Sequence, residues 1–260
     1  MRSIHFYCLI LTGSCITCGD KATTSPSIPN VHTSPPYAGT IFLDPDIIKG
    51  DDPTSFETIT STGQDERVMF DRRVNNWITV DAYLFNATFD DGLSVEVQVN
   101  PEFESSELSQ VQAEKYARVI GRLPTTLRKD VQTVWIHKGA ELFGGGNNNL
   151  LIHIGQADLY ESDGILEETL VHEASHTSLD DPHATATGWI AAQGKDPSFI
   201  STYARDNPTR EDIAETVLLY LAVKYRQDRI SSDLESTVLK TIPGRIKYLD
   251  ELSWELHPWE

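Results

Sequence analysis

The spacing of apolar residues divides the chain into a strand-rich first part and a helix-rich second part. Leu93, Val95, Val97 and Val99 alternate with Ser94, Glu96, Gln98 and Asn100, the period of two expected of a half-buried strand. Asp91-Gly92 just before them marks a hairpin turn. Residues 77–89, rich in aromatic and β-branched side chains, form the strand that enters it. Shorter strands are expected at 40–43 and 56–60, separated by the turn formers Asp44-Pro45-Asp46 and Asp51-Asp52-Pro53. Two more are expected at 131–137 and 150–154, the last as an edge strand. Between them Gly144-Gly145-Gly146-Asn147-Asn148-Asn149 lacks the Lys and hydroxyl residue of a phosphate loop and reads as a flexible connection.

Helical spacing then takes over. Leu108, Val111, Tyr116, Val119 and Ile120 predict a helix over 107–120, ended by Gly121 and Pro124. Leu166, Leu170, Ala174 and Thr177 give a second helix, over 165–178, an apolar-to-small face, with Asp163 as its candidate N-cap. A third is expected over 208–225, capped by Asn207, with Pro208 in its first position and Ile213, Val217, Leu218 and Leu221 on its buried side. Ser232 and Glu235 have the spacing of a capping box, and Pro243 is placed to open a last helix through Ile246 and Leu249. Strands followed by helices indicate an α+β chain.

Composition narrows what such a fold can bind. With 39% hydrophobic and 23% charged residues in 260, the chain can bury a core as one domain or two small ones. Its 39 acidic against 21 basic residues leave a net charge of −18, which opposes binding to nucleic acid or to an anionic membrane surface. The three cysteines stand at 8, 15 and 18. The body therefore has neither disulfide nor thiolate ligand, and a metal there must be held by imidazoles and carboxylates. Arg2 and the apolar stretch 6–17, shorter than the roughly 20 residues of a spanning helix, read as a signal peptide over 1–18. A small residue precedes both Cys15 and Cys18, as in a lipoprotein cleavage box, although Thr12 or Cys15 stands where Leu is usual. Residues 19–37, rich in Ser, Thr and Pro, read as a tether, followed by a β-rich region over 38–92 and the main domain over 93–260. The expected destination is secretion or the cell envelope, with membrane attachment only through an N-terminal lipid.

The chemistry concentrates at His172-Glu173-Ala174-Ser175-His176. Two histidines four apart lie on one helix face and can share one Zn²⁺, while Glu173, offset by one residue, flanks the ion as a candidate general base. A third ligand is needed. The positions three and six residues after His176 are Leu179 and Pro182, so a nearby glycine-histidine extension is excluded, although Asp180, Asp181 and His183 remain within reach. Glu211 and Glu215, four apart, are stronger candidates. Two carboxylates on a mostly buried face repel unless a cation or donors serve them, so one would bind the metal and the other accept a ligand ring N–H. His137 and His153 lie in strands and read as core or edge histidines rather than ligands.

His172-Glu173-x-x-His176 followed by Glu211-Asp212-Ile213-Ala214-Glu215 resembles the gluzincin zinc metallopeptidases, and with Tyr203 upstream it is similar to the catalytic domain of the anthrax lethal factor group. The likeness covers roughly 165–225, and the element order from Leu93 onward is also similar; residues 38–90 have no counterpart. The resemblance implies a zincin-like fold with His172, His176 and Glu211 as zinc ligands and Glu215 behind them. It also implies Glu173 as base and Tyr203 as a donor to the transition state, although Tyr203 stands one residue farther from Glu211 than in that group. The expected activity is hydrolysis of peptide or protein substrates. The alternative is a surface or periplasmic binding protein on an inactive scaffold, which would have no need of a base at Glu173.

Overall fold

A computed structural model describes residues 33–43 and 46–259. The signal peptide and the lipidation candidates Cys15 and Cys18 fall outside these residues. Among the described residues no helix is long and apolar enough to cross a membrane.

The chain is α+β, built on one mixed six-stranded sheet. Strands β1 (Phe56–Asp71), β2 (Asn76–Phe89) and β3 (Ser94–Val99) form an antiparallel meander. Helix α1 (Ser106–Ile120) and a short α2 (Thr125–Arg128) lead to β4 (Thr133–His137), which pairs parallel to β3. Strand β5 (Gly144–Gly146) turns back into β6 (Asn149–His153), which pairs parallel to β4, giving the order β1-β2-β3-β4-β6-β5. Six helices carry the rest: α3 (Ile154–Ser162), α4 (Leu166–Ser178), α5 (Asp180–His183), α6 (Thr187–Lys195), α7 (Thr202–Asp206) and α8 (Asp212–Tyr225). Two more, α9 (Ser232–Thr241) and α10 (Pro243–Asp250), close the chain. The inward residues of the sheet, among them Phe85, Val97, Val134 and Ile152, share one core with α1, α4 and α8.

Several elements depart from the sequence-based expectation. The strand expected at 56–60 runs on for 16 residues, because Arg67, Val68 and Met69 continue to pair across the hairpin with Val80, Thr79 and Ile78. Residues 40–43 are not a strand. Ile41, Phe42 and Leu43 are buried in the core, and the Leu43 N–H donates to the Glu168 carboxylate at 2.8 Å instead of to a sheet neighbour. Residues 33–37, expected in the tether, dock on the segment before α7: Thr33 and Ser198 exchange hydrogen bonds with the backbone of residues 197 and 33, and Tyr37 bridges to Ser201. The boundary expected between 92 and 93 falls inside the sheet, where β2 and β3 pair.

The glycine run is ordered too. It forms β5, which covers Asn149–Leu151 of β6, so the edge of the sheet there is β5 and not the strand expected at 150–154, whose last residue, Ile154, already belongs to α3. Asn147 and Asn148 both have positive φ (51° and 59°), the two-residue hairpin geometry that asparagine tolerates. Gly145 is required for another reason: an ideal Cβ there would collide with the backbone carbonyl of Glu173 in α4. The edge strand and the helix carrying the histidines thus touch backbone to backbone.

Caps moved as well. Asp163 ends α3 instead of starting α4, and Ser231 rather than Ser232 caps α9, accepting from Leu234 N at 3.2 Å. Pro243 does open α10. The expected helix over 208–225 begins at Asp212. Asn207 closes a single turn through its carbonyl, which accepts from Glu211 N at 2.8 Å, while its side chain donates back to Tyr203 O. Glu211 therefore occupies the N-cap position of α8, still with helical dihedrals, and keeps its i, i+4 relation to Glu215. From Asp212 to Val223 every residue of α8 is buried, so it is a central helix enclosed on all sides.

Candidate metal centre

Helix α4 carries His172 and His176 on one face, and α8 packs across it. The two rings meet edge to face with centroids 4.9 Å apart. Their Nε2 atoms are 3.2 Å from each other. Glu211 Oε2 lies 3.3 Å from His172 Nε2 and 3.2 Å from His176 Nε2. These three atoms form a nearly equilateral triangle, and among the described residues they are the one set of three His, Cys, Asp or Glu ligand atoms so grouped. A tetrahedral ion with bonds of about 2.0–2.1 Å has ligand-to-ligand edges of about 3.3–3.4 Å, and the triangle fits it.

The far side of each ring explains why the triangle needs a cation. His176 Nδ1 lies 2.7 Å from Asp180 Oδ2, and His172 Nδ1 lies 3.6 Å from Glu215 Oε1. A carboxylate accepts, so Asp180 holds Nδ1 of His176 as the N–H, while Nδ1 of His172 faces Glu215 beyond hydrogen-bond reach, and both rings direct Nε2 at Glu211. Three lone pairs facing one another are tolerated only around a positive charge. Without a metal a proton has to serve. Burial opposes protonation of His176, but Asp180 and Glu211 outweigh it and push the ring up to about 10. His172 is likewise raised against burial, chiefly by Glu211. Burial alone would lift the Glu211 carboxyl, yet both histidines hold it far below the usual range. Burial pushes Glu215 up to about 7, despite the nearby His172 and the Ser201 hydroxyl, which donates to it at 2.7 Å. The side chains of His172 and His176 are each 12% exposed, and that of Glu211 6%, so the triangle is largely but not wholly enclosed.

A buried ionic cluster places Glu211. Arg245, fully buried, donates from Nε to Asp212 Oδ2 at 2.8 Å and from Nη1 to Asp196 Oδ2 at 2.9 Å. Gln193 Nε2 bonds both Asp212 Oδ2 and Pro208 O. Asp212, the residue after Glu211, is thereby tied to α6 and α10. On α4, Glu168 is completely buried one turn before His172 and accepts from Leu43 N and Ile47 N, with burial pushing its carboxyl up to about 8.

The structure brings together His172, His176, Glu211 and Glu215. Glu173 follows His172 on α4, half-buried against β5, with its charge near both rings. Tyr203 sits half-buried in the first turn of α7, two residues after the Ser201 that serves Glu215. Of the rival ligands, Asp180 holds a ring N–H instead of joining the triangle. His183 turns away to the Tyr248 hydroxyl at 2.9 Å. Asp181 is exposed. Sequence reasoning missed the role of Asp180, although its place four residues after His176 signals it. Ser201, Glu168 and the Arg245 cluster had no local signal at all. Comparison with protein-family models, with curated proteins and with solved structures returned no match.

Proposed function

We propose that this chain is a zinc-dependent endopeptidase with a zincin-like fold, acting on peptide or protein substrates after export to the cell envelope or beyond. The observation that carries the proposal is the triangle of His172, His176 and Glu211 with a carboxylate behind each ring. Those three residues would hold Zn²⁺, which supplies Lewis-acid polarisation of a water molecule and of the scissile carbonyl. Asp180 fixes the orientation of the His176 ring and keeps its Nε2 free of a proton, and the Glu215 carboxylate stands 3.6 Å behind the His172 ring. Glu173 takes a proton from the attacking water and later returns it to the leaving amine. Tyr203, on the strength of the family resemblance, donates a hydrogen bond to the carbonyl oxygen as charge builds there. An extended substrate pairs by backbone hydrogen bonds with β5, which has a sheet neighbour on one side only.

The test is zinc content together with casein or peptide-library cleavage for wild type and Glu173→Gln. Zinc should stay stoichiometric in both while cleavage falls by roughly 10²–10⁴-fold in the variant. Equal cleavage by the two proteins removes Glu173 as base, and stoichiometric zinc with no cleavage by wild type favours the binding-protein alternative.

A further inference from the structure

The long β1–β2 hairpin, which the motifs left without a role, delivers an arginine to the same edge strand. At its tip Asp71 is buried and accepts from the backbone and guanidinium of Arg73, which also pairs with Glu102 at 2.7 Å. Arg73 is thereby neutralised and the tip is anchored. Arg72 is different. It is exposed, has no carboxylate partner among the described residues, and donates from Nη2 to Phe143 O at 2.9 Å. That bond fixes the guanidinium over the start of β5: an ideal Cβ on Gly144 would lie 3.0 Å from Arg72 Nη2 and 3.6 Å from Leu151 Cβ.

Neighbouring residues of a strand face opposite sides of the sheet. Gly145 faces α4, so Gly144 faces away from it, and the space where its side chain would stand holds a guanidinium. A residue paired directly opposite Gly144 on an added strand would point its side chain to that face, about 4.5–5.5 Å across. In a chain with a net charge of −18, an unneutralised arginine in this place offers a charge-assisted, two-pronged partner for a carboxylate.

We propose that Arg72 selects substrates carrying an acidic residue at the position that pairs opposite Gly144. The inference rests on the peptidase reading for the cleft, but recognition of the peptide can be read without turnover. Fluorescent peptides that differ only by Glu or Gln at one position, scanned along the sequence, are titrated into Glu173→Gln protein with zinc bound. The same pairs are compared for cleavage by wild type. At one register the Glu peptide should be favoured about tenfold in both assays, the size of a hydrogen bond to a charged group. Arg72→Lys should keep a preference for Glu, Arg72→Gln should reduce the ratio to about one, and Arg72→Glu should reverse it in favour of Lys peptides. Mere loosening of β5 would weaken all peptides alike without reversing the ratio. A ratio near one at every register in the Arg72 protein, or an acidic preference that survives Arg72→Glu, overturns the proposal. Selective binding without any cleavage would instead overturn the peptidase reading and leave the role of Arg72 standing.

Discussion

Two pairs of histidines sit side by side in this molecule, and only one has the makings of a metal site. His137 and His153 are paired across β4 and β6, stack with centroids 5.2 Å apart, and are both fully buried. His172 and His176 are at nearly the same separation, one helical turn apart. The difference is in what surrounds the rings. His137 Nδ1 faces the Asn100 side-chain amide at 3.1 Å, and His153 Nδ1 the Lys138 carbonyl at 2.9 Å. These partners are neutral, and both Nε2 atoms lack a hydrogen-bond partner among the described residues. Burial therefore prevails, driving His137 down to about 4 and lowering His153 as well. Around His172 and His176 stand four carboxylates, from Glu173, Asp180, Glu211 and Glu215, and the same burial is overruled. Two adjacent imidazoles become a candidate cation site when carboxylates stand behind the rings and a third ligand atom converges on the Nε2 side.

The contrast can be broken most severely at the ligands. Removing one ligand, as in His176→Ala or Glu211→Ala, should weaken zinc binding by about 3 kcal/mol or more, one ligand's share of the roughly 10–16 kcal/mol typical of a structural site. His137→Ala and His153→Ala should retain one equivalent. Elemental analysis after dialysis decides it, and zinc loss from the strand pair alone would reverse the assignment.

Acid should separate the pairs next. The folded His137 pKa lies below that of the unfolded chain. The unfolded state therefore binds the extra proton below about pH 6.5, and stability is lost as pH falls toward about 4, by on the order of 3 kcal/mol. His137→Gln should flatten that part of the urea-unfolding profile of the metal-free protein. His176 has the opposite sign. Its raised pKa stabilises the metal-free fold fully below about pH 6.5, and the contribution fades as pH rises toward about 10. A metal-free protein whose stability rises between pH 7 and 10 would contradict the charge assigned to the triangle.

The smallest effect belongs to the outer carboxylate. Asp180→Asn should lower zinc affinity by roughly 10–100-fold, less than any ligand removal, because it frees the orientation of the His176 ring while leaving the triangle's atoms in place. A competition titration with a chelator measures it. A loss as large as that of Glu211→Ala would mean that Asp180 is itself a ligand.

Much of the helical half was legible because its information is local. A 3.6-residue period predicted α1 and α4 to within a residue, with Gly121 and Pro124 marking the end of α1, and two histidines four apart need only one helix to share a face. The short helices α2, α3, α5, α6 and α7 went unread, since four to nine residues with mixed polarity carry little periodicity. Asn207 and Pro208 looked like a helix start but belong to the turn before one, because Pro208 O and Asp212 are both drawn to Gln193 from another helix.

From its own residues the chain determined the α+β order, the face shared by His172 and His176, and the spacing that keeps Glu211 and Glu215 on one side of their helix. These follow from backbone periods, which act over a few residues. Tertiary structure decided the rest: that Glu211 closes the triangle, that Asp180 and Ser201 serve the outer carboxylates and rings, that a glycine run forms the edge strand, and that Arg72 reaches it from 71 residues away. Such contacts depend on which surfaces pack together, and burial and charge, unlike helical period, are settled only when distant segments exclude water from one another.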